Sequence, residues 1–185
     1  ATESQNYPQQ DNTYLEGQFS SKKSTATELP ERKITSSGIP SFIKWAGGKK
    51  QLIGQFKQFF PKKIDRYYEP FLGGGTVAFY LVKTHPEIKR IFLSDINREL
   101  IITYNAVKDD VENLINLLKE YKKKHSKDFY YKIRLQDIKK LNNLQIATRF
   151  IYLNKTCFNG LYRVNSKGFF NVPMGNYKNP NICPE

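Results

Sequence analysis

Apolar side chains follow two different spacings along the chain, beginning near residue 42. Short apolar runs at 67–72 and 90–94 are typical of buried β-strands. Apolar residues three or four positions apart predict amphipathic helices, which would cover 51–60, 76–82, 97–107, 109–124, 129–134 and 145–153. Because a helix joins the two strand-like runs, the pattern predicts a βαβ unit within an α/β fold.

Residues 1–40 lack this periodicity and are rich in Gln, Ser, Thr, Asn and charged residues, which predicts a disordered tail or linker. We therefore expect three parts: the tail at 1–40, a cofactor-binding α/β half at 41–108, and a helical and hairpin region at 109–185. No function is assigned to the tail.

Three consecutive glycines, Gly73–Gly75, stand where the first strand gives way to a helix. Glycine has no Cβ, so the backbone there can approach a ligand closely. The second strand ends in Asp95, 20 residues after Gly75, and an acid at about that distance contacts ribose hydroxyls in nucleotide-binding α/β folds. The loop has neither the lysine of a P-loop nor the glycine spacing of a dinucleotide site, which favours an adenosine-containing ligand without phosphates. The alternative is a plain turn at 73–75, with Asp95 capping the following helix.

The sole Trp, Trp45, precedes a glycine pair and two lysines, Lys49 and Lys50. This combination can stack an aromatic ring on a ligand and offer a cation to it. A Trp that closes the edge of the core over a Gly-Gly turn is the alternative.

Two turn signals, Asn159-Gly160 and Lys167-Gly168, delimit the last informative stretch. The segments 161–164 and 169–172 are expected to pair as a two-stranded ribbon. Asn, Arg, Lys and Tyr side chains on such a ribbon are suited to base edges and phosphates. An ordinary surface hairpin is the alternative.

The net charge of the chain indicates what kind of partner it binds. The chain carries 30 Lys and Arg against 17 Asp and Glu, a formal net charge of +13. Residues 1–40 contribute 4 − 5 = −1 and residues 41–185 contribute 26 − 12 = +14, so the basic excess lies on the predicted domain. Such an excess is expected of a protein that binds a phosphate backbone. A generally lysine-rich composition is the alternative.

Other features of the composition narrow the class of protein. No stretch approaches the roughly 18 apolar residues of a membrane span, so we expect a soluble, cytoplasmic protein. Two cysteines, Cys157 and Cys183, are too few for a disulfide framework or a zinc knuckle. With only two histidines, no metal site is expected.

Taken together and in this order, four motifs resemble the Dam-like (GATC-type) family of DNA adenine methyltransferases, over about Phe42 to Glu185. The motifs are Lys44-Trp45-Ala46-Gly47-Gly48-Lys49, Tyr68-Glu69-Pro70-Phe71-Leu72-Gly73-Gly74-Gly75, Ser94-Asp95-Ile96-Asn97, and 158–165 leading to Phe170-Asn171-Val172-Pro173. The resemblance implies a Rossmann-like S-adenosylmethionine-dependent methyltransferase fold, incomplete in its sheet, with a helical and β-hairpin target-recognition region. It also implies S-adenosyl-L-methionine as the cofactor and double-stranded DNA as the partner, with a GATC-like target.

The resemblance implies site residues position by position. Cofactor contacts are implied for Trp45, Lys49, Glu69, Pro70, Phe71, Gly73, Gly75 and Asp95. DNA contacts are implied for Lys44, Asn159, Leu161 and Arg163. Asn159 would help to fill the gap left when the target base leaves the stack.

One motif of the family does not occur in these 185 residues. In the family an Asp-Pro-Pro-Tyr sequence, which binds the adenine amine and stacks on the flipped base, follows the recognition region; neither Asp-Pro-Pro nor Asn-Pro-Pro is present here. We therefore expect an amino-terminal portion without catalytic residues of its own, with the carboxy-terminal catalytic half absent. The alternatives are a catalytically inactive DNA- or cofactor-binding remnant and a split enzyme completed by another chain. A cognate restriction endonuclease system is a further expected partner.

Overall fold

The structure, a computed structural model, describes residues 41–48 and 51–183 and the backbone of Leu15–Gln18. In chain order its elements are β1 (Leu15–Gln18), α1 (Ile53–Phe56), β2 (Arg66–Glu69), α2 (Thr76–Thr84), β3 (Arg90–Leu93), α3 (Arg98–Asp109), α4 (Val111–Lys123), α5 (Lys127–Arg134) and α6 (Asn143–Thr156), with 3₁₀ turns at Lys57–Phe59, Ile138–Lys140 and Phe158–Gly160. The helices predicted from the second strand-like run onward are confirmed, with ends that differ by a few residues.

Strands β2 and β3 lie parallel, with Glu69 opposite Leu93. Helix α2 joins them, which confirms the predicted βαβ unit and a mixed α/β fold. Two backbone hydrogen bonds extend the pairing past the strand ends: the Ser94 N–H donates to the Glu69 carbonyl at 3.0 Å, and the Leu72 N–H donates to the Ser94 carbonyl at 2.9 Å. The loops that follow the two strands therefore emerge side by side at one edge of the sheet.

The two faces of this strand pair differ in what covers them. On one face, Leu81 of α2 and Ile91 of β3 belong to a buried apolar cluster, with exposed fractions of 0% and 5%. Tyr68 and Phe92 point to the other face, because side chains alternate along a strand. Their rings stack with centroids 4.6 Å apart, and Tyr68 remains 59% exposed.

The backbone of Leu15–Gln18 forms β1, which pairs antiparallel with β3 and gives the strand order β1–β3–β2. At these four residues the structure departs from the predicted disordered tail. Strand pairing through backbone groups does not require an apolar pattern, so the composition of the segment contains no signal for it. The rest of 1–40 lies outside the described residues.

Helices α3 to α6 build the larger core, with α6 at its centre. Every residue from 146 to 154 of α6 is buried, as is every residue from 100 to 104 of α3, which packs along it. The start of α6 is fixed by a capping box: the Asn142 Oδ1 accepts from the Gln145 N–H at 2.9 Å, and the Gln145 Oε1 accepts from the Asn142 N–H at 3.0 Å.

The helix predicted at 51–60 is much shorter than expected. Helix α1 ends at Phe56 and continues as a 3₁₀ turn, and Phe59 is 76% exposed. Within α1 the buried side chain is Ile53. One buried side chain supplies little packing energy, and Gly54 has a low helix propensity, so a longer helix is not stabilised.

The ribbon predicted from the two turn signals forms a hairpin with less strand pairing than expected. Val164 and Phe170 form an isolated antiparallel bridge. At the turn, the Asn165 Oδ1 accepts hydrogen bonds from the N–H groups of Lys167 and Phe169, both at 3.0 Å. The Asn165 side chain therefore takes up the Phe169 N–H, which a longer ribbon would pair across the strands.

Within residues 15–18, 41–48 and 51–183, no helix is long and apolar enough to cross a membrane, and no three His, Cys, Asp or Glu side chains lie together as metal ligands would. Cys157 and Cys183 are free thiols. Burial raises the pKa of Cys157 to about 11, so this thiol is neutral near pH 7.

Candidate cofactor and DNA-binding site

The glycine-rich loop between β2 and α2 is held by hydrogen bonds at Gly73. Its N–H donates to the Asp95 Oδ2 at 2.9 Å, and its carbonyl accepts from the Tyr104 hydroxyl at 3.1 Å. Gly73 and Gly75 have φ angles of +49° and +67°, which side-chain-bearing residues rarely adopt. A Cβ on Gly75 would lie 2.7 Å from the Tyr104 hydroxyl oxygen, so both conformation and space require glycine there.

Trp45 packs against the same loop. A Cβ on Gly73 would lie 2.9 Å from the indole ring, and a Cβ on Gly74 would lie 3.2 Å from the Trp45 Cβ. The indole also stacks on the ring of Tyr162, with centroids 5.8 Å apart and planes inclined by 28°, and on Phe150 at 6.2 Å. The glycines therefore allow Trp45 to approach the loop, while its ring also closes the edge of the core.

A cavity of about 230 Å³ lies between the Trp45 segment and the glycine-rich loop. It is lined by Trp45, Ala46, Gly47, Gly48, Glu69, Phe71, Leu72, Gly73, Gly74, Gly75, Thr76 and Val77. Five of the residues predicted to contact a cofactor, Trp45, Glu69, Phe71, Gly73 and Gly75, are thus brought to one cavity. Pro70 is exposed and is not part of this lining. Lys49 lies outside the described residues.

Asp95 is not in the cavity lining but holds the loop that forms it. Its Oδ2 accepts from Gly73, as above, and its Oδ1 accepts from the Asn97 N–H at 2.9 Å. The cap of α3 comes from Asn97, whose Oδ1 accepts from the Leu100 N–H at 3.1 Å, so the interpretation of Asp95 as the cap of this helix is wrong. A carboxylate has about four lone-pair sites, and each oxygen can accept a further hydrogen bond. The ribose contact of Asp95 stays a prediction.

The electrostatics of the loop favour neutral donors and a cationic ligand. Burial raises the pKa of the Tyr67 and Tyr104 hydroxyls, the negative charge of Glu69 raises both further, and Asp95 adds to the effect at Tyr104. Both hydroxyls are therefore protonated near pH 7, and Tyr104 can donate to Gly73. The two carboxylates, Glu69 and Asp95, make the potential around the loop more negative, which suits a cation better than a phosphate.

The residues predicted to contact DNA are all exposed, and the structure brings them close together from two distant segments. Lys44 packs on the 3₁₀ turn Phe158–Gly160, which precedes the hairpin, and a Cβ on Gly160 would lie 2.6 Å from the Lys44 Cβ. Asn159 on that turn has a φ of +52°, and Leu161 is 39% exposed. Farther along the hairpin, the Arg163 Nε donates to the Asn171 Oδ1 at 2.7 Å. Their contacts with DNA stay predictions.

A buried ion pair joins the helices to the hairpin. The Arg149 Nη1 donates to the Glu99 Oε2 at 3.0 Å, with side chains 2% and 11% exposed. The Tyr162 hydroxyl donates to the other oxygen, Glu99 Oε1, at 2.7 Å. Because the Tyr162 ring also stacks on Trp45, this network connects the hairpin to the wall of the cavity.

Several residues that hold the site together have no motif in the sequence that marks them. Tyr104, Asn154 and Tyr162 each hydrogen-bond to a residue at least 31 positions away: Gly73, Lys44 and Glu99, respectively. The apolar spacing places Tyr104 on the buried face of the helix predicted at 97–107. Its hydroxyl is the one local feature that indicates a hydrogen bond from this position. A buried polar atom requires a partner, but the sequence does not indicate which one.

Similarity to known proteins shows the family to which this chain belongs. The sequence model of the D12 class N6 adenine-specific DNA methyltransferase family matches residues 45–185. The chain is 45% identical over 163 residues to type II methyltransferase M.MjaIII of Methanocaldococcus jannaschii, a match that covers 80% of this chain and 56% of that protein.

Two further relatives show the same pattern of coverage. Type II methyltransferase M1.LlaDCHI of Lactococcus lactis subsp. cremoris is 42% identical over 158 residues, with 83% of this chain and 53% of that protein covered. DNA adenine methylase of Escherichia coli is 37% identical over 142 residues, with 76% of this chain and 49% of that protein covered. The chain thus spans about half the length of the curated relatives it matches. On the family match over most of its length, this chain belongs to the D12 class N6 adenine-specific DNA methyltransferase family.

Proposed function

We propose that this chain forms the cofactor-binding and DNA-recognition part of an enzyme that transfers a methyl group from S-adenosylmethionine to the exocyclic amine of adenine in duplex DNA. The observation that carries the proposal is the single cavity formed by the Trp45–Gly48 segment and the glycine-rich loop. The βαβ unit that presents this loop supports a Rossmann-like methyltransferase fold.

The residues of the cavity fit this cofactor. A sulfonium cation is attracted to aromatic faces and to carboxylates, and Trp45, Phe71 and Glu69 line the cavity. Asp95 is placed at the loop with acceptor capacity for a ribose hydroxyl. When bound, the cofactor supplies the electrophilic methyl group. The chain's own residues bind and orient it.

The size of the cavity bears on how complete the site is. Its volume of about 230 Å³ is below the range of about 300–1,000 Å³ typical of small-molecule sites. We infer that the cavity holds part of the cofactor, and the contact of Lys49 with the cofactor stays a prediction.

The exposed surface around the hairpin fits duplex DNA. Lys44, Asn159 and Leu161 lie together there, and the segment 41–185 carries a net charge of 26 − 12 = +14. We propose that these residues and Arg163 contact a GATC-like target, and that Asn159 occupies space left by the flipped adenine. Binding through so many cations is expected to weaken steeply with salt.

The residues that bind the adenine amine are proposed to lie in another polypeptide segment. These 185 residues contain no Asp-Pro-Pro sequence, so we propose that a segment carrying Asp-Pro-Pro-Tyr, in the same protein or in a separate chain, binds the adenine amine. The same observation favours the second candidate, a catalytically inactive remnant that binds cofactor or DNA. The type II names of two relatives support a restriction-modification system with a cognate endonuclease as the setting.

The test of cofactor binding uses Trp45, which is the sole Trp of the chain and lines the cavity. Titration with S-adenosylmethionine is expected to change the intrinsic fluorescence saturably, and the Kd is then checked by calorimetry. Asp95→Ala should weaken binding by about 1–3 kcal/mol, because it leaves a ribose hydroxyl unsatisfied and releases Gly73.

Asp137→Ala is the matched control for this substitution. The Asp137 Oδ1 accepts from the Lys139 N–H at 3.1 Å, the same two-residue spacing as from Asp95 to Asn97, but Asp137 caps the 3₁₀ turn Ile138–Lys140, whereas Asp95 also holds Gly73 of the glycine-rich loop. The Asp137→Ala variant should bind S-adenosylmethionine with the Kd of the unmodified chain. Failure of the unmodified, folded chain to bind S-adenosylmethionine would overturn the proposed function, whereas an unchanged Kd in Asp95→Ala would remove only the role of Asp95.

A further inference from the structure

Asn154, near the end of α6, uses every polar group of its amide to join the turn that follows the helix to the distant Lys44 segment. Its Oδ1 accepts from the Lys44 N–H at 2.7 Å, and its Nδ2 donates to the Lys44 carbonyl at 2.7 Å and to the Gly160 carbonyl at 3.2 Å. The side chain thus makes three hydrogen bonds while Asn154 is only 3% exposed. A primary amide has two N–H donors and a carbonyl acceptor, so this arrangement satisfies both donors and the acceptor.

The two segments that Asn154 joins meet with no space between them. A Cβ on Gly160 would lie 2.6 Å from the Lys44 Cβ, closer than real Cβ contacts. The turn is formed by two consecutive residues with positive φ, +52° at Asn159 and +64° at Gly160. The position of the Lys44 backbone relative to this turn is therefore fixed by hydrogen bonds and by contact.

The exposed neighbours of these backbone groups are the residues proposed to read DNA. Lys44 is exposed, with its Nζ donating to the Tyr177 hydroxyl at 3.1 Å, and Asn159 and Leu161 flank Gly160. Contacts with base edges depend on the relative position of donors and acceptors, whereas contacts with phosphates tolerate small displacements and carry no sequence information. A residue that fixes the spacing of two reading segments would therefore affect sequence discrimination more than total affinity.

We propose that Asn154 is a positioning residue for DNA recognition: it fixes the Lys44 segment against the turn at 159–161 and thereby sets sequence discrimination without contacting DNA itself. This inference rests on the proposed function, because it assumes that both segments read DNA. Its test separates loss of discrimination from loss of folding and from loss of cofactor binding.

The experiment selects preferred sites from a randomised duplex pool with the whole chain, so the target need not be known beforehand. The variants are Asn154→Asp and Gly160→Ala, and the control is Thr148→Val. Asp has the shape of Asn but turns a carboxylate oxygen toward the Lys44 and Gly160 carbonyls. Gly160→Ala leaves the Asn154 amide intact and places a methyl group between the turn and Lys44.

Thr148→Val removes a buried hydroxyl from the same helix. This hydroxyl donates within α6, to the Leu144 carbonyl at 2.8 Å, and Thr148 is 0% exposed. The control therefore matches the loss of a buried hydrogen bond without affecting Lys44 or Gly160. Each variant is also tested for a cooperative thermal transition and for S-adenosylmethionine binding through Trp45 fluorescence.

The expected result is that both variants bind the selected site less selectively over random duplex, by about 5- to 150-fold for each base contact that is lost, while Thr148→Val keeps the discrimination of the unmodified chain. The Kd for S-adenosylmethionine should change by less than about 3-fold in both variants and in the control. If Asn154→Asp shows no cooperative transition, Asn154→Gln, which keeps the amide and adds one methylene, is tested in its place.

Failure of the proposed function and failure of the positioning role of Asn154 would give different results. If the unmodified chain selects no site from the pool, the DNA-recognition part of the proposed function falls, and this inference falls with it. If the unmodified chain selects a site and the folded variants select the same site with the same discrimination, the positioning role is wrong although the proposed function stands. A uniform weakening on cognate and random duplex, shared with Thr148→Val, would also show that Asn154 has a merely structural role.

Discussion

Arg163 and Lys167 lie in the same hairpin and carry the same charge, yet they are expected to contribute differently to DNA binding. The Arg163 Nε donates to the Asn171 Oδ1 at 2.7 Å, which orients the planar guanidinium. A guanidinium held in this way can donate its Nη hydrogens to two acceptors on a guanine edge. Lys167 is exposed and lies at the turn that Asn165 closes.

Arg163→Ala should therefore relax the sequence preference, because a lost bidentate base contact costs about 1–3 kcal/mol at one position. Lys167→Ala should weaken all duplexes alike, since it removes a cation but no base contact. Titration of each variant with the selected duplex and with a scrambled duplex of equal composition measures the difference. Equal weakening on both duplexes in Arg163→Ala would show that the hairpin is not the reader.

At the residue scale, the sequence indicated the type of residue in the site but not its partners. The glycines and the acid at 95 were predictable because positive φ and a strand-end carboxylate have local signatures. The hydrogen bond between Gly73 and Asp95 spans 22 residues, and the bonds of Asn154 to Lys44 span 110. Such partners are set by tertiary packing, which has no signature in a single sequence.

At the scale of elements, the buried ion pair between α3 and α6 carries much of the specific packing. Besides Glu99, Arg149 donates from its Nε to the Ile133 carbonyl at 3.2 Å and from its Nη2 to the Arg134 carbonyl at 3.0 Å. One guanidinium thus connects α6 with α3 and with the last two residues of α5. Burial lowers the pKa of this guanidinium, and the carboxylate of Glu99 acts in the opposite direction.

Arg149→Met should reduce the free energy of unfolding by about 3–5 kcal/mol, because it leaves the Glu99 carboxylate buried without its cation. The double variant Arg149→Met with Glu99→Leu should recover part of this loss, since it removes both charges. Lys123→Met is the control: its ion pair with Glu120 is exposed, and its removal should have little effect. Urea denaturation measures all three. If Arg149→Met is as stable as Lys123→Met, the stabilising role assigned to the Arg149–Glu99 pair is wrong.

Elements were predictable to the extent that a local pattern determined them. Helices α3 to α6 have apolar spacings and caps such as Asn97 and the Asn142 box, so their sequence signals agree with their packing. Helix α1 and the hairpin differ from prediction because packing at Ile53 and side-chain hydrogen bonds at Asn165 determine their extent. Strand β1 shows the same limit, since its pairing with β3 is a long-range contact.

At the scale of the whole molecule, the described chain presents apolar surface next to the proposed site. Phe71 and Ile96 follow β2 and β3 and are 84% and 92% exposed, and Tyr68 on β2 is 59% exposed. Because the chain spans about half the length of its relatives, a polypeptide corresponding to their remaining half would gain free energy by covering these side chains. Under the proposed function, the same polypeptide is expected to carry the Asp-Pro-Pro-Tyr sequence.

This 185-residue polypeptide alone is therefore expected not to methylate DNA. It contains no Asp-Pro-Pro sequence, so nothing identified in it holds the adenine amine in line with the sulfonium methyl, and such positioning contributes several kcal/mol to catalysis. The assay mixes the chain with labelled S-adenosylmethionine and a duplex carrying GATC sites. A second reaction adds the remaining half of the Methanocaldococcus jannaschii relative, which is 45% identical over the matched region.

Methyl incorporation is expected only in the second reaction, and its controls assign the roles of the two polypeptides. Replacing the Asp of the Asp-Pro-Pro-Tyr sequence that is expected in the added polypeptide by Ala should abolish incorporation, because the amine then loses its acceptor. Asp95→Ala in this chain should lower incorporation at limiting cofactor, whereas Asp137→Ala should leave it unchanged. Incorporation by the chain alone would mean that catalytic residues lie within these 185 residues and that the division of roles is wrong. A chain that binds cofactor and DNA but is not complemented, even by the carboxy-terminal halves of several relatives, would favour the inactive remnant.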